Sequence, residues 1–506
     1  MREAVLRGAF LGRGFAAQAE ALAEFIVEHS AAAALRRWFG ETGLAGLLRH
    51  DGSRAGRRDA MIRLEEAVDR DLAVIDGLLS AQLDAVLRAD RLRRLEGSWR
   101  GLHWLCGRIP AAGRMRLRLL IARWTELCRD FERAVEFDQS QLFKKVYEEE
   151  FGSPGGEPYG LLCADYELRP FPGPGSPTDD IAGLDALAGV AAAAFSPIVV
   201  AAHPALLGLD SYAELGPAID PAEPMHGQER RRWRSLQERD DTRFLAVLLP
   251  RVLARAPWAD DGVRADRFRY RPDRGTAASR TWMSPIYPLA ATAMRAFATY
   301  GWPADIRGAL VGHRAAGGVV DDLPVERLPS DPPGPPPRPP VEVALTDEQE
   351  RQAVEAGLMP LIGLDGLPEA VFAAAPSLHR PPRMTGEAAN ANQRMSAQFN
   401  AVLCVSRFAH CVKLIGRDMV GSFKTAQDIE KRLQLWLMQF TSATGGAIGE
   451  SGARHPLRAA KVEVREKPGQ PGVFGCVIQM QPHFQLDEVG AAFRLVTDLQ
   501  APKAAA

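Results

Sequence analysis

The stretch ALAGVAAAAFSPIVVAAHPALLGL, residues 186–209, separates two very different folds. It is long enough to cross a membrane, and His203 is its one ionisable residue. However, Ser196-Pro197 and His203-Pro204 interrupt it, and alanine is its commonest residue. We therefore predict a buried helix up to about Phe195, followed by a buried strand over PIVVAA, rather than a membrane span.

The composition of the 506 residues is that of an ordinary globular protein. A formal net charge of −1 gives no reason to expect nucleic acid or an anionic membrane as a partner. The six cysteines form no CxxC pair, which favours a reducing compartment, and arginines interrupt the N-terminus where a secretory signal would be apolar. We expect a soluble, cytoplasmic protein.

Helical and strand patterns alternate after the first hundred residues. RMRLRLLIA (114–122) predicts a strand, and WTELCRDFERAV after it predicts a helix. Further strands are predicted at 159–168, within 244–253 and at 341–345, and further helices at 137–151 and 291–302. This alternation is typical of α/β (mixed α+β) construction.

Three regions follow from these patterns. Residues 1–110 are predicted to be helical, and residues 111–340 to form a central α/β domain that ends in a proline-rich surface crossing. A linker is preferred there to a binding site for a proline-reading domain. Residues 341–506 are predicted to form a C-terminal α/β domain.

The C-terminal region shows the clearest local signals. One helix is expected to end at Gly416, and Thr425 and Asp428 form a capping box for the next helix. AKVEVRE (460–466) and VFGCVIQMQ (473–481) predict a β-hairpin, and one more strand is predicted near the end.

An apolar stripe marks one helix of the N-terminal region. It consists of residues spaced by three or four positions: Leu64, Val68, Leu72, Ile75, Leu79, Leu83 and Leu87. Seven exposed apolar residues would form a large sticky patch, so something must cover them. Either a partner protein packs on Leu72, Ile75 and Leu79, or the rest of this chain covers the stripe.

No motif predicts catalysis, a cofactor or a metal. GRDMVGSFKT (416–425) resembles a phosphate-binding loop, but a Walker loop needs lysine directly after the second glycine and a strand before the loop. Cys404, His410 and Cys411 are too few ligands for a metal. We predict no catalytic, cofactor-binding or metal-binding residues. A phosphate-handling enzyme centred on Lys424 is the competing class.

Several stretches together resemble the large subunit of the type VI secretion contractile sheath, the TssC or VipB family. The most specific are FDQS…PGGEPYG, within 137–168, and SRFAH, within 405–423. The other similar blocks lie at 95–105, 196–215, 240–258, 296–308 and 481–499. The resemblance is collinear over roughly residues 60 to 500.

The resemblance implies a structural, non-enzymatic protein with a fold like that of contractile phage tail sheaths. The large subunit would pair with a small sheath subunit of the TssB or VipA type and polymerise with copies of itself around a tube of Hcp. Contraction would propel the tube and its spike from a baseplate docked at the membrane. The ClpV ATPase would then act on the contracted sheath, and the chain itself would not insert into the membrane.

The resemblance also implies where partners bind. The small subunit becomes the expected cover of Leu72, Ile75 and Leu79, and the C-terminal region is expected to face the tube. Strands exchanged between chains would complete open sheet edges. We therefore add four hairpin residues to the predicted partner-binding set: Val462, Val464, Val477 and Gln479. An accessory sheath paralogue, which caps or regulates a sheath, is the alternative suggested by the atypical N-terminus.

Overall fold

The structure is a computed structural model. It describes residues 1–499 except 10–15, 111–114, 152, 154, 174, 259–261, 265–266, 273–279, 309–315, 329, 335, 337, 365, 383, 387–389, 391–392, 394–395, 420–424, 443–453, 467–473 and 483–492. The chain forms two compact units. The first comprises Met1–Arg93 and Pro257–Arg280, and the second comprises Arg94–Ala256 and Thr281–Ala506. The region boundaries at 110/111 and 340/341 stay predictions.

The first unit is helical. Its helices are α1 (Arg2–Leu6), α2 (Ala16–Ile26), α3 (Ala31–Phe39), α4 (Glu41–Leu47) and α5 (Arg54–Leu87). Ser53 caps the start of α5, and its hydroxyl accepts a hydrogen bond from the Gly56 amide. One face of α5 is buried through Ala60, Leu64 and Ala67. An amphipathic helix buries one face in this way.

A buried carboxylate fastens the first unit together. Asp71 of α5 accepts hydrogen bonds from Arg2 Nε at 2.6 Å and from Trp38 Nε1 at 2.8 Å. Burial by itself raises the pKa of Asp71, but the bonds from Arg2 and Trp38 outweigh it and lower that pKa. One charged side chain of α5 therefore holds both α1 and α3.

The remaining elements follow in chain order, with short helical turns between some of them. The helices are α6 (Asp90–Cys106), α7 (Trp124–Arg133), α8 (Gln141–Phe143), α9 (Glu149–Phe151), α10 (Asp180–Ala194), α11 (Glu223–His226), α12 (Arg231–Gln237), α13 (Ile286–Tyr300), α14 (Asp347–Glu355), α15 (Phe399–Met419) and α16 (Ala426–Met438). The strands are β1 (Leu162–Leu168), β2 (Ile198–Ala202), β3 (Leu245–Leu249), β4 (Val252–Leu253), β5 (Trp282–Met283), β6 (Val319–Val320), β7 (Leu358–Pro360), β8 (Ile362–Gly363), β9 (Ala370–Val371), β10 (Leu457–Glu466), β11 (Phe474–Pro482) and β12 (Phe493–Leu499).

A parallel sheet with the strand order β1-β2-β3-β7 forms the centre of the second unit. Every residue of β2 and β3 is buried. Alternate residues serve two different cores: Ile198 and Val200 belong to one apolar cluster, and Val199 belongs to the other. Because both faces are covered, these strands are continuously apolar rather than alternating.

The stretch 186–209 folds as the sequence predicts. Helix α10 ends at Ala194, and Phe195 follows with a left-handed backbone (φ 50°). Strand β2 then begins at Ile198. The apolar length of this stretch is therefore divided between a helix and a strand, and Ile198 and Val200 of the strand share a core with the helix.

The C-terminal part of the second unit contains an antiparallel sheet with the order β10-β11-β12. The predicted hairpin is confirmed, with Val462 opposite Ile478. The capping box of Thr425 and Asp428 is also present at the start of α16. A third apolar core lies between this sheet and helices α15 and α16.

Three predictions of local structure are wrong. Of the predicted strand 114–122, the described residues 115–122 form no strand, because they pair with no other strand. At 341–345 a single bridge joins Val341 to Val252, which is too little for a strand. Helix α15 runs through Gly416 to Met419, because tertiary packing outweighs the helix-ending tendency of this buried glycine.

Within the part of the chain that the structure describes, one helical segment is apolar and long enough to cross a membrane, Phe399–Arg417 of α15. However, 72% of it is buried inside the protein. Phe408, Ala409 and Val412 are completely buried in the third core. The apolar character of α15 is thus used for packing within the protein.

Two glycines of α6 allow this helix to pack closely against the backbone of Trp282 and the ring of Tyr287. A Cβ atom at Gly97 would lie 2.1 Å from the carbonyl oxygen of Trp282, and one at Gly101 would lie 2.3 Å from the Tyr287 ring. A Cβ atom added at Gly77 of α5 would have no other atom within 4 Å.

We expect Gly97→Ala to lower the free energy of unfolding by about 1–3 kcal/mol through steric overlap. Gly77→Ala should instead raise it by up to about 1 kcal/mol.

Denaturant unfolding of both variants tests this contrast. Equal effects of the two substitutions would contradict the close packing of α6.

Candidate assembly surfaces

The carboxyl edge of the central sheet is occupied by the protein's own side chains. In parallel α/β sheets this edge is the usual place for a ligand. Here Arg251 Nη2 lies 2.8 Å from Glu167 Oε2, and Arg251 Nη1 lies 3.4 Å from Glu342 Oε2. The Tyr212 hydroxyl donates to the Ala202 carbonyl at 2.8 Å. These groups bind one another and act as a structural clamp.

The charges of this clamp are stable. Burial by itself lowers the pKa of Arg251, but the hydrogen bonds and charge of Glu167 raise it well above its ordinary value. Next to the clamp, burial lowers the pKa of His203 to about 4. Arg251 is therefore cationic and His203 neutral at pH 7.

The residues Cys404 and His410, weighed above as metal ligands, are buried helix residues. Burial raises the pKa of the Cys404 thiol to about 12, so it is not a thiolate nucleophile at pH 7. His410 Nε2 donates to the Ala194 carbonyl at 3.0 Å. Among the described residues, no three His, Cys, Asp or Glu side chains are grouped to hold a metal. Lys424, the centre of the competing enzyme hypothesis, lies outside the described residues.

Lys413 of α15 lies against the helical segment that contains Tyr147 and Phe151 and against Phe195 at the end of α10. Its Nζ lies 5.1 Å from the ring centre of Tyr147, 4.8 Å from that of Phe151 and 4.9 Å from that of Phe195. Three aromatic faces around one ammonium group form a cation–π cage. Burial lowers the pKa of this lysine to about 8. The one sequence feature that distinguishes Lys413 is its isolation, because no other lysine occurs between it and Lys145.

An aromatic cluster extends this connection. Trp302, just after α13, stacks on Phe408 of α15 with ring centres 4.0 Å apart and an interplanar angle of 16°. Phe440 meets Trp302 edge-on at 4.9 Å. With the His410 bond and the Lys413 cage, this cluster forms what we call the α15 joint. It attaches the C-terminal core to the helices around the central sheet.

The predicted hairpin residues have different environments. Val462 and Val464 are 3% and 7% exposed, so their side chains belong to the third core. Val477 is half-buried, and Gln479 is exposed on the middle strand of the sheet. Partner binding by these four residues stays a prediction, and Gln479 has the most accessible side chain among them.

Side chains of α16 close the outer edge of β10. The Val462 amide donates to Gln434 Oε1 at 2.9 Å, and the Val464 amide donates to Glu430 Oε2 at 3.0 Å. Gln434 Nε2 donates to the Ala460 carbonyl at 2.9 Å. Strand β12 forms the opposite edge, and in the described part of the chain it pairs with β11 alone.

The apolar stripe of α5 divides into a buried and an exposed part. Leu64 is 6% exposed and lies in the interior of the first unit. Further along, Leu72 is 53% exposed and Leu79 is 36% exposed, with Ile75 half-buried between them. The rest of the chain therefore covers the start of the stripe, and binding of a partner at Leu72, Ile75 and Leu79 stays a prediction.

Comparisons with known proteins agree with this architecture. Residues 69–379 match the family described as EvpB/VC_A0108, tail sheath N-terminal domain. Residues 388–499 match the family described as its tail sheath gpW/gp25-like domain. The chain is also 33% identical over 445 residues to the type VI secretion system sheath protein TssC1 of Pseudomonas aeruginosa, and the aligned part covers 87% of each chain.

The matches identify the chain as a tail sheath protein. The chain belongs to the VipB family of tail sheath proteins, the family to which the sequence blocks point.

The α15 joint predicts a dependence of stability on pH. His410 is neutral in the folded protein because burial lowers its pKa from 6.5 to about 4. The unfolded chain therefore binds more protons between these values, so stability is lost as the pH falls from 6.5 to 4. A difference of one in pKa corresponds to about 1.4 kcal/mol, so the loss due to His410 is at most about 3.5 kcal/mol.

Urea unfolding at pH 7 and pH 4.5 measures this loss. His410→Gln should reduce the pH dependence, whereas His226→Gln, at an exposed position, should not. Identical pH profiles for His410→Gln and the unmodified protein would refute the assignment.

Proposed function

We propose that this chain is the structural large subunit of a type VI secretion contractile sheath, and that it pairs with a small sheath subunit of the TssB or VipA type. The observation that carries the proposal is the family match, which covers residues 69–379 and 388–499. A protein that matches through both sheath domains has the parts that a sheath subunit needs. The curated relative carries the name of a sheath protein.

The exposed part of the α5 stripe supports pairing. Leu72 and Leu79 lie on one face of α5, since positions seven apart on a helix nearly coincide. Helix-in-groove binding uses such a face, with anchors three, four and seven positions apart. The small subunit covers Leu72, Ile75 and Leu79 in this proposal.

The C-terminal sheet supports contacts between copies of this chain. Its β10 edge is bonded to α16, whereas β12 lies at the other edge. A strand from a neighbouring copy adds at β12 and supplies the hydrogen bonds that an edge strand needs. In this proposal the C-terminal domain faces the Hcp tube. The sheath lies in the cytoplasm and extends from a baseplate docked at the membrane, and ClpV acts on the contracted sheath.

An accessory sheath paralogue is the second candidate. The observation that favours it is that the family match begins only at residue 69. Such a paralogue binds the small subunit but does not form a sheath alone.

Co-expression with the cognate small subunit tests the proposal. We expect a stable complex and, by negative-stain electron microscopy, hollow tubules. A complex that never forms tubules supports the accessory paralogue, and no complex at all contradicts both candidates.

Substitutions along α5 test the interface. Leu72→Asp with Leu79→Asp should lower copurification of the small subunit at least tenfold while the large subunit stays folded, because both side chains are exposed. Leu64→Asp should instead unfold the first unit, because it buries an unpaired charge. Circular dichroism separates the two results. Unfolding by the Leu72 and Leu79 pair would show that the stripe is internal.

A further inference from the structure

The chain passes three times between the first and the second unit. The passages lie between residues 93 and 94, between 256 and 257, and between 280 and 281. The segment Pro257–Arg280, which we call the arm, therefore interrupts the sequence of the second unit but belongs to the first. Both ends of the arm are joined covalently to the second unit, so the residues that hold these ends also restrict the arm.

Strands β4 and β5 of the second unit hold the two ends of the arm side by side. Leu253 pairs with Trp282, and the Ala254 amide donates to the Thr281 carbonyl at 2.9 Å. Bringing the ends of a loop together costs conformational entropy. Because the ladder of β4 and β5 has already brought these ends together, this entropy is not lost again when the arm packs on another element.

One carboxylate of the second unit binds residues next to the arm. Glu96 of α6 follows the first passage, and its Oε1 accepts a hydrogen bond from Arg255 Nε at 2.7 Å. Its Oε2 accepts a hydrogen bond from the Thr281 hydroxyl at 3.1 Å. Arg255 precedes the second passage and Thr281 follows the third. Glu96, Arg255 and Thr281, which we call the neck, thus connect all three passages within the second unit.

The neck is shielded from water. Arg255 is 9% exposed, and the side chain of Glu96 is 15% exposed. Arg255 Nη2 also donates to Glu96 Oε2 at 3.2 Å, so the guanidinium binds both carboxylate oxygens. Arg100 Nε adds a bond to Oε1 at 2.7 Å. Burial by itself raises the pKa of Glu96, but the bonds from Arg255 and Arg100 outweigh it and lower that pKa, so the carboxylate is ionised at pH 7.

Within the first unit, the arm is bonded to the C-terminal half of α5. The Tyr270 hydroxyl donates to Asp84 Oδ1, and the Arg271 amide donates to the Ser80 hydroxyl at 3.0 Å. Ser80 is 3% exposed, so the second bond is sheltered from water. Its neighbour Leu79 belongs to the exposed stripe of α5. The arm therefore holds the half of α5 that carries the end of this stripe.

We propose that Glu96 is a positioning residue for the α5 interface, because it binds both ends of the arm and so keeps the arm docked on α5. The proposal rests on the proposed function, since the surface that Glu96 positions is the stripe offered to the small subunit. Helix α6 follows α5 in the chain, so a carboxylate on α6 that binds the ends of the arm acts as a second tether between the arm and α5. A tether raises the effective concentration of two groups that bind each other.

Hydrogen exchange in the large subunit alone tests this coupling. The Ala254 amide reports on the neck, and the Arg271 amide reports on the docking of the arm. Glu96→Gln keeps the shape of the side chain but removes its charge, and should speed the exchange of both amides at least tenfold. Mass spectrometry of peptides that contain these residues measures the effect. Faster exchange at Ala254 without faster exchange at Arg271 would overturn the proposal, as would unchanged exchange at both.

Matched variants separate this effect from a general loss of stability. Glu348→Gln makes the same substitution in an exposed ion pair of α14 and should change neither amide. Thr281→Val removes one bond of the neck but leaves the ion pair, so it should speed both amides by a smaller factor, about two- to fivefold. The Val200 amide of β2 should be unchanged in every variant. Equal acceleration at Val200 and in the arm would reduce Glu96 to a general stabiliser and refute its positioning role.

A substitution in the arm tests the direction of the coupling. Tyr270→Phe removes the bond to Asp84 and should speed the exchange of the Arg271 amide, because it weakens the docking of the arm. It should leave the Ala254 amide unchanged, because the neck does not depend on Tyr270. Equal acceleration at Ala254 would contradict a neck that acts on the arm.

Copurification measures the consequence for the interface. Glu96→Gln should reduce the amount of small subunit that copurifies with the large subunit at least threefold, whereas Glu348→Gln should not. Fast exchange at Arg271 together with unchanged binding of the small subunit would overturn the positioning role of Glu96 and leave the proposed function intact. If the unmodified chain binds no small subunit, the proposed function fails, and the role of Glu96 at the α5 interface fails with it.

Discussion

The complete burial of β2 and β3 between two apolar cores is the constraint on which the second unit depends. Ile198 and Val200 face one core and Val199 faces the other, so neither face of these strands can meet water. Helices must cover both faces, and α10 contributes to one core while α13 contributes to the other. The sheet can then meet another chain only near its edge strands, β1 and β7. Segment 115–122 is attached to β1, at one of these two edges.

The α15 joint imposes a second constraint, because it places a cation and an imidazole in an apolar setting. Removing the Lys413 ammonium from water is unfavourable, as its pKa of about 8 shows. Each aromatic face around the ammonium group stabilises its charged form by about 0.5–2 kcal/mol. The cage favours the charged lysine only while Tyr147, Phe151 and Phe195 surround it. This coupling joins α15, and with it the C-terminal core, to the helices next to the central sheet.

The sequence predicts those parts of the fold whose signal is local. The buried strands, the hairpin and the Thr425 capping box follow from apolar runs and from neighbouring residues that hydrogen-bond to each other. The predictions fail where residues that are distant in the sequence determine the local structure. Segment 115–122 has the composition of a strand but no partner strand in the described chain, and Gly416 continues a helix because it is buried. Likewise, no local pattern shows that Glu430 and Gln434 bond to the edge of β10, or that three aromatic residues surround Lys413.

The outer edge of β10 and the segment 115–121 differ in how their backbone groups are bonded. Gln434 and Glu430 form hydrogen bonds with two amides and one carbonyl at the outer edge of β10. These backbone groups could otherwise pair with a strand of another chain. A competing strand must first break these bonds, so unspecific pairing there is unfavourable. At 115–121 the described backbone takes part in no hydrogen bond within the chain, and Leu117, Leu119 and Leu120 are exposed. Protection of the β10 edge from wrong pairing thus depends on the polar side chains of α16.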